Sequence, residues 1–533
     1  MIYDALVVGS GISGAMAAKA LIDAGLHVAM LDPGRDSLLR DRIPDKPFAE
    51  LRRTDAGQRS YLIGDQLEGI PAAGVKVGAQ LTPPRQHISK GSDELLPSRS
   101  ATFFPLLPVS LGGLGAGWGA ACFTFDETEL RRMGLDAVGF DAAYQRAADI
   151  AGISADADSP VNESLWQGVQ RHQPPLRIDT NAEMILARHL DEPARLASRG
   201  MTLGRIPMAI LSEDLSATRR ANPYFDTDFY GSVRQSIYRP AYLLEELCQS
   251  KRFTLLTGRM VVRFDDRGTE VVVHARNFVD DTEETHVCRK LVLCAGALNT
   301  ARMALYSLGL IGVKTPILCN PYTYMPTVNL AMLGRPARDD RHSMAQLGGV
   351  LRHDDGDGVY GCYQMYSYRS LLLFKLIKEM PLPPALGLLV ARTLQTALAI
   401  FGIFFEDRQA ETKFMEIDES AVAHFEYRQT AEEIVRQRRQ EARFASGLRS
   451  LHCLPIGKVD PGKAGSIHYA GTIPFENPLD KRFHTESDFT LAGNRNVVVG
   501  DGSPWNFLPA KGLSFTLMAN ALQVADRLVR SMQ

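Results

Sequence analysis

The chain holds seven cysteines in 533 residues and no C-x-x-C pair. They stand singly at positions 122, 248, 288, 294, 319, 362 and 453. An odd, scattered set fits reduced, mostly buried thiols in a cytoplasmic protein better than a disulfide framework or a zinc site. Excess charge is lacking too: the formal net charge of −2 gives no reason to expect a nucleic-acid partner, which would show as a basic surface. The histidines, His452 and His484 among them, lack metal-ligand spacing and read as structural or surface residues, so no metal is expected. "MIYDALVVGSG" has no basic n-region, which argues against a cleavable signal peptide and for a protein made and kept in the cytoplasm. No internal repeat is visible. What remains is an ordinary globular composition, 45% apolar and 23% charged, in a chain too long for one simple core. Two domains, interleaved in sequence, are expected.

The first chemical signal is "YDALVVGSGISGAMAAKALIDAGLHVAMLDPG", which reads as strand, tight turn, helix and second strand. Ala5 to Val8 suit a buried parallel strand. Gly9, Gly11 and Gly14 give the G-x-G-x-x-G spacing needed for the turn, for close approach of backbone to a pyrophosphate, and for helix–strand packing. A helix from about Ser13 to Ala24 aims its N–H groups at the phosphates, and Asp32 closes the second strand where it can accept a ribose hydroxyl. The competing reading is a purely structural βαβ unit. The motif does not separate FAD from NAD.

Residues 35–100 are rich in charge, proline and glycine and show poor periodicity. "SLGGLGAGWGAACFTFDETEL", Ser110 to Leu130, packs glycines around Trp118 and lets backbone approach a flat ligand; alone it also reads as a flexible loop. From Arg239 a helix and successive strands follow, with a turn at Asp265–Gly268. Strand Lys290–Cys294 then breaks at Ala295-Gly296 into a helix beginning near Asn299, which suits a nucleotide or an ordinary βα junction. The apolar block Pro383–Arg408 is interrupted by Arg392, Thr393, Gln395 and Thr396. It reads as a helix followed by a buried strand ending at Phe405, with an interfacial helix or a membrane span as alternatives. Thr430–Leu448 is a charged amphipathic helix. Near the end, Val497–Val499 form a strand, Asp501-Gly502-Ser503 a turn, and a last helix starts near Lys511.

Four stretches, in this order, resemble one family. They are the N-terminal fingerprint, the glycine-rich run before Trp118-Gly119, "LCAGALNTAR", and "HYAGT" followed by "GDGS…LPAKGLSFTLMANAL". The chain resembles the GMC (glucose–methanol–choline) oxidoreductases, flavoenzymes that oxidise alcohols with FAD. The sugar-oxidising branch similar to pyranose oxidases is nearest, because "LGGLGAGW" follows its pattern. The resemblance implies an α/β fold: a Rossmann-like FAD-binding domain assembled from discontinuous segments 1–150, 239–315 and 451–533. An α+β substrate domain with a mostly antiparallel sheet, 316–450, would complete it, with 151–238 as a connecting, substrate-side segment. It further implies that Gly9, Gly11, Ser13, Gly14 and Asp32 hold the ADP half and that the backbone of Val261 touches the adenine. Ala116, Gly117, Trp118 and Gly119 would lie along the isoalloxazine, with Ala295, Gly296, Asp501 and Gly502 near the ribityl and pyrophosphate.

His468 matches the family's catalytic histidine in H-x-x-G-T. A lone histidine is otherwise most often a hydrogen-bonded core residue. As a base it would accept the hydroxyl proton while hydride passes to flavin N5, a task suited to a reference pKa of about 6.5. Two departures stand out. Where some members carry a histidine that anchors FAD covalently, this chain has Gly117, so non-covalent FAD is expected. The second catalytic position falls at Gly512, beside Lys511: either Lys511 takes over contact with substrate or flavin, or His468 works largely alone. Trp505 and Asn506 are further candidates for the pocket wall. The expected partners are a small-molecule alcohol, of sugar or cyclic polyol type, and an electron acceptor such as oxygen or a quinone. A bulky apolar alcohol such as a sterol, or a lipid-linked substrate met by peripheral membrane contact through 385–405, is the alternative. An NAD-dependent dehydrogenase leaves the C-terminal segments without a purpose.

Overall fold

The computed structural model describes residues 2–34, 43–62, 64, 82–336, 338, 340–354, 358–367 and 380–533. Much of the irregular stretch between 35 and 81 therefore lies outside the described residues.

Strand Ile2–Val8 loses all solvent contact from Ala5 on, and its alternate side chains enter two different cores. Ala5 and Val7 face helices Ile12–Asp23 and Ser514–Met532; Leu6 and Val8 face helix Ala297–Ser307. A strand apolar on both faces belongs in the middle of a sheet covered on both sides. It lies there, parallel to Val28–Asp32 on one side and to Thr282–Leu293 on the other. Phe253–Thr257 extends the sheet in parallel beyond Val28–Asp32. The second half of Thr282–Leu293 also pairs in parallel with Val497–Val499, so the chain's last strand joins its first. Val271–Asn277 and Arg259–Asp266 complete the sheet as an antiparallel meander, joined by the turn read at Asp265–Gly268.

A second sheet is wholly antiparallel, in the order Leu347–Arg352, Val359–Ser367, Leu398–Phe405, Tyr322–Asn329, Cys453–Pro455. Helix Ala431–Ser450 covers one face through Phe444 and Leu448, and starts with a reciprocal cap between Thr430 and Glu433. The apolar block resolves into helix Pro384–Leu394 and strand Leu398–Phe405, in the order read from its sequence. The strand is buried throughout because Phe401, Ile403 and Phe405 fill one core and Leu398, Ile400 and Phe404 the other. Among the described residues no helix is long and apolar enough to cross a membrane. Two helix starts differ from the sequence reading: the segment read from Asn299 begins at Ala297, and the last helix begins at Ser514 rather than near Lys511.

Candidate active site

A cavity lies beyond the carboxyl ends of the parallel strands, where open α/β sheets bind ligands, and its wall includes Gln364, Tyr366 and Phe404 of the antiparallel sheet. Its volume is about 330 Å³. That lies within the roughly 300–1,000 Å³ of a small-molecule site, and its wall extends from Gly9–Ser13 through Gly117–Gly119 to His468. Three helices open onto it with their N-termini: Ile12–Asp23, Ala297–Ser307 and Ser514–Met532. None of the three has a side-chain cap or an acidic residue in its first turn. Free N–H groups and the positive ends of three helix dipoles thus share one space, which favours an anionic occupant.

The glycines divide by what confines them. Gly9 has φ +97°, and a Cβ there would lie 2.5 Å from the Cys294 carbonyl oxygen. At Gly14 it would lie 1.9 Å from the Gly9 carbonyl oxygen, so both positions are set by packing within the protein, and Gly14 does not line the cavity. Gly11 and Gly296 are different. Both line the cavity, yet a Cβ at Gly11 would meet nothing nearer than 3.9 Å and at Gly296 nothing within 4 Å. The protein leaves that space clear.

Ser10 ties the first turn to the glycine-rich run. Its N–H and Oγ donate to Asp32 Oδ2 at 2.8 and 2.6 Å, and its Oγ accepts from the Gly112 N–H at 2.9 Å. Asp32 Oδ1 accepts from the Gly34 N–H, leaving one carboxylate acceptor site for a ligand hydroxyl. Burial raises the Asp32 carboxyl above its ordinary range against these hydrogen bonds. Asp501 is held the same way, by Thr300 Oγ1 at 2.6 Å and by Ser503, so the end of strand Val497–Val499 is bound to helix Ala297–Ser307. Ser13, Val261, Ala295, Gly502, Gly117, Trp118 and Gly119 all line the cavity. Ala116 does not: it closes the short turn Gly113–Ala116 beneath the wall. Arg302, missed in the sequence, also lines it; its buried Nη1 has no partner among the described residues, and burial lowers the guanidinium to about 10.

His468 sits where the cavity meets the antiparallel sheet. Ile467, just before it, has φ +61°, a left-handed conformation that is costly for a β-branched residue and holds the chain in a sharp bend. The bend lays the imidazole flat on Phe404, with ring centroids 4.8 Å apart and planes 22° from parallel. Nδ1 lies 2.9 Å from Asn320 Oδ1. Asn320 spends its own N–H donors on the carbonyls of Phe405 and Pro509 at 2.8 and 2.9 Å, so its oxygen must face the histidine. The imidazole therefore carries its proton on Nδ1, and Nε2 keeps a free lone pair. The ring's open edge belongs to the cavity. Burial lowers its pKa to about 4, so it is neutral at physiological pH. Asn320 was missed in the sequence; a lone amide in the apolar run "PILCNPY" was its only signal.

Lys511 is placed differently from either sequence alternative that has it touching ligand. Its side chain is fully buried and turned away from the cavity, with Nζ 2.6 Å from Glu129 Oε2 and 3.2 Å from the Thr124 carbonyl. An ammonium without water needs a carboxylate, and Glu129 lies on the neighbouring helix Glu127–Met133 rather than across the cavity. Gly512 does line the cavity and presents only backbone. Trp505 and Asn506 stay out of the wall: Trp505 is fully buried against Phe125, and Asn506 accepts from the Glu476 N–H.

No family model matches the chain, and no curated protein matches it in sequence. Solved structures do resemble it, among them pyridoxine 4-oxidase from Mesorbium loti, with a TM-score of 0.57 and 14% identity. The similarity covers 98% of this chain and 98% of that one. At this identity the likeness establishes the fold. Several hundred solved chains, 764 in all, share it to some degree, so the scaffold alone does not select a substrate.

Proposed function

We propose that the chain is a flavin-dependent oxidoreductase that oxidises an alcohol, with His468 as the base. The observation that carries this reading is the neutral imidazole with its tautomer fixed by Asn320, at one end of a cavity whose other walls suit a dinucleotide. Fit to a flavin dinucleotide rests on three uncapped helix starts, the clear space before Gly11 and Gly296, the spare acceptor on Asp32 and the unpaired Nη1 of Arg302. Gly9 to Ser13, Asp32, Val261, Ala295, Gly296 and Asp501 would hold the group, and Gly117 to Gly119 would lie along its ring. Gly117 carries no side chain to bond covalently, which supports non-covalent binding. When bound, a flavin supplies a two-electron acceptor for the hydride on the alcohol carbon.

The chain's own residues supply the proton chemistry. Nε2 of His468 takes the hydroxyl proton as the O–H bond breaks, and the oxygen's electron pair closes a carbonyl. A positioned base of this kind contributes about 10² to 10⁴ in rate. Phe404 covers one face of the imidazole, and the Ser514–Met532 helix start favours negative charge beside Gly512.

The substrate reading best supported is a compact alcohol on a flat, largely apolar frame. The charged side chains lining the described cavity, Asp32, Arg259, Arg302 and Asp501, stand on the parallel-sheet side; around His468 are Phe404, Tyr366, Gln364 and Trp118. A sugar, expected from the glycine-rich run, would ask for more hydroxyl partners than these. A membrane-borne apolar alcohol is a second reading, favoured by Leu382, Leu386, Leu388 and Leu389, all exposed on or beside helix Pro384–Leu394. Flotation with liposomes distinguishes it.

Purified protein should show flavin absorbance as isolated or after adding FAD. Under anaerobic conditions benzyl alcohol should bleach it faster than glucose. A folded, colourless protein that refuses FAD overturns the reading, and faster bleaching by glucose restores the sugar alternative.

A further inference from the structure

Gly512 presents only backbone and Lys511 turns inward, so neither of these two residues offers a side chain to fix a substrate hydroxyl beside His468. The antiparallel sheet supplies one. On strand Val359–Ser367, Gln364 and Tyr366 point to the same face, two residues apart, and both line the cavity. Gln364 pairs opposite Gly402, and the next residue on that face of the neighbouring strand is Phe404, the ring on which His468 lies. Diagonal neighbours on a sheet face are within about 7–8 Å, so Gln364 stands on the same face as the ring that carries His468.

The Gln364 amide is buried, and the Tyr366 hydroxyl donates to its Oε1 at 2.9 Å. Its Nε2 makes no hydrogen bond among the described residues and stays accessible from the cavity that Gln364 lines. Those two donors are open to an acceptor placed in the cavity. The Tyr366 hydroxyl also lies near the glycine-rich run: a Cβ at Gly119 would stand 3.6 Å from it. We infer that Gln364, oriented by Tyr366, is the residue that anchors the hydroxyl oxygen of a flat, apolar primary alcohol while His468 faces its proton. This rests on the alcohol-oxidising reading above and assigns the hydroxyl contact absent at Gly512.

The test uses the holoenzyme reduced with dithionite, which binds alcohol without oxidising it, and compares benzyl alcohol with toluene by ligand-observed NMR. Gln364→Met should weaken benzyl alcohol about 5- to 10-fold and leave toluene unchanged, the signature of one lost hydrogen bond. Tyr366→Phe, which frees the amide to rotate, should weaken benzyl alcohol about 2- to 3-fold, again without changing toluene. Flavin content should match the unsubstituted protein in both. An equal loss for both ligands, or no loss for the alcohol in either variant, overturns the assignment while leaving the flavin reading intact. Absence of bound flavin in the unsubstituted protein overturns that reading and the assignment with it.

Discussion

His468, half-buried at the cavity, and Lys511, fully buried, are both nitrogen bases on the C-terminal segment, and the fold treats them oppositely. Lys511 meets the Glu129 carboxylate at 2.6 Å and Asp126 at 3.9 Å. His468 meets a neutral amide oxygen at 2.9 Å and an aromatic face. A buried base beside a carboxylate becomes half of an ion pair and ties two segments together. One beside a neutral acceptor stays uncharged and is ready to take a proton. The partner, rather than closeness to the cavity, sorts structure from chemistry.

That contrast can be broken most forcefully at His468. His468→Ala should slow anaerobic flavin reduction by alcohol by about 10² to 10⁴ while flavin binding persists, read by stopped-flow absorbance. A rate within a few-fold of normal would remove the base from the account. Lys511→Met should instead cost stability, about 3–5 kcal/mol in denaturant unfolding, because it strands the Glu129 carboxyl in the core. Adding Glu129→Leu should recover most of that loss; if it does not, the pair is not what holds the segment.

The two kinds of glycine sharpen the same distinction. Gly14→Ala has no room against the Gly9 carbonyl and should lose about 1–3 kcal/mol or more of stability. Gly11→Ala has room within the protein, so its fold should melt normally while its FAD affinity drops about tenfold by titration. Equal melting losses would mean that Gly11 serves packing alone. Asn320→Asp places a carboxylate beside the imidazole, which favours the protonated ring. The acid limb of flavin reduction should move up from about 4 toward the ordinary 6.5.

His468 also makes stability depend on pH. A histidine held below its unfolded value contributes stability that is complete above about 6.5 and is lost as pH falls toward about 4. Denaturant unfolding across that interval should show a slope that His468→Phe reduces.

What the sequence made legible was local. The strand–turn–helix around Gly9, Gly11 and Gly14 and the helix-then-strand reading of 383–405 depend on near neighbours, and the fold agrees with them. What it hid was made by distant pairing. Asn320 reaches His468 because the short strand Leu318–Cys319 pairs with Tyr469–Ala470, and no spacing rule links those positions. Glu129 lies 382 positions before Lys511, so the lysine's partner could not be read beside it. Gln364 left only a trace, an amide two residues before a tyrosine in the aromatic run "VYGCYQMYSY". Ala116 looked like part of a flat wall because the run around it is uniform, yet the turn Gly113–Ala116 rotates it out of line.

The central claim is that one cavity joins a dinucleotide wall to the His468 imidazole. Titrating FAD into the folded protein and solving the complex tests it most directly. The account predicts one bound FAD with its pyrophosphate at Gly11 and its ring beneath His468. A protein that binds no FAD, or a ring lying away from that imidazole, would contradict it.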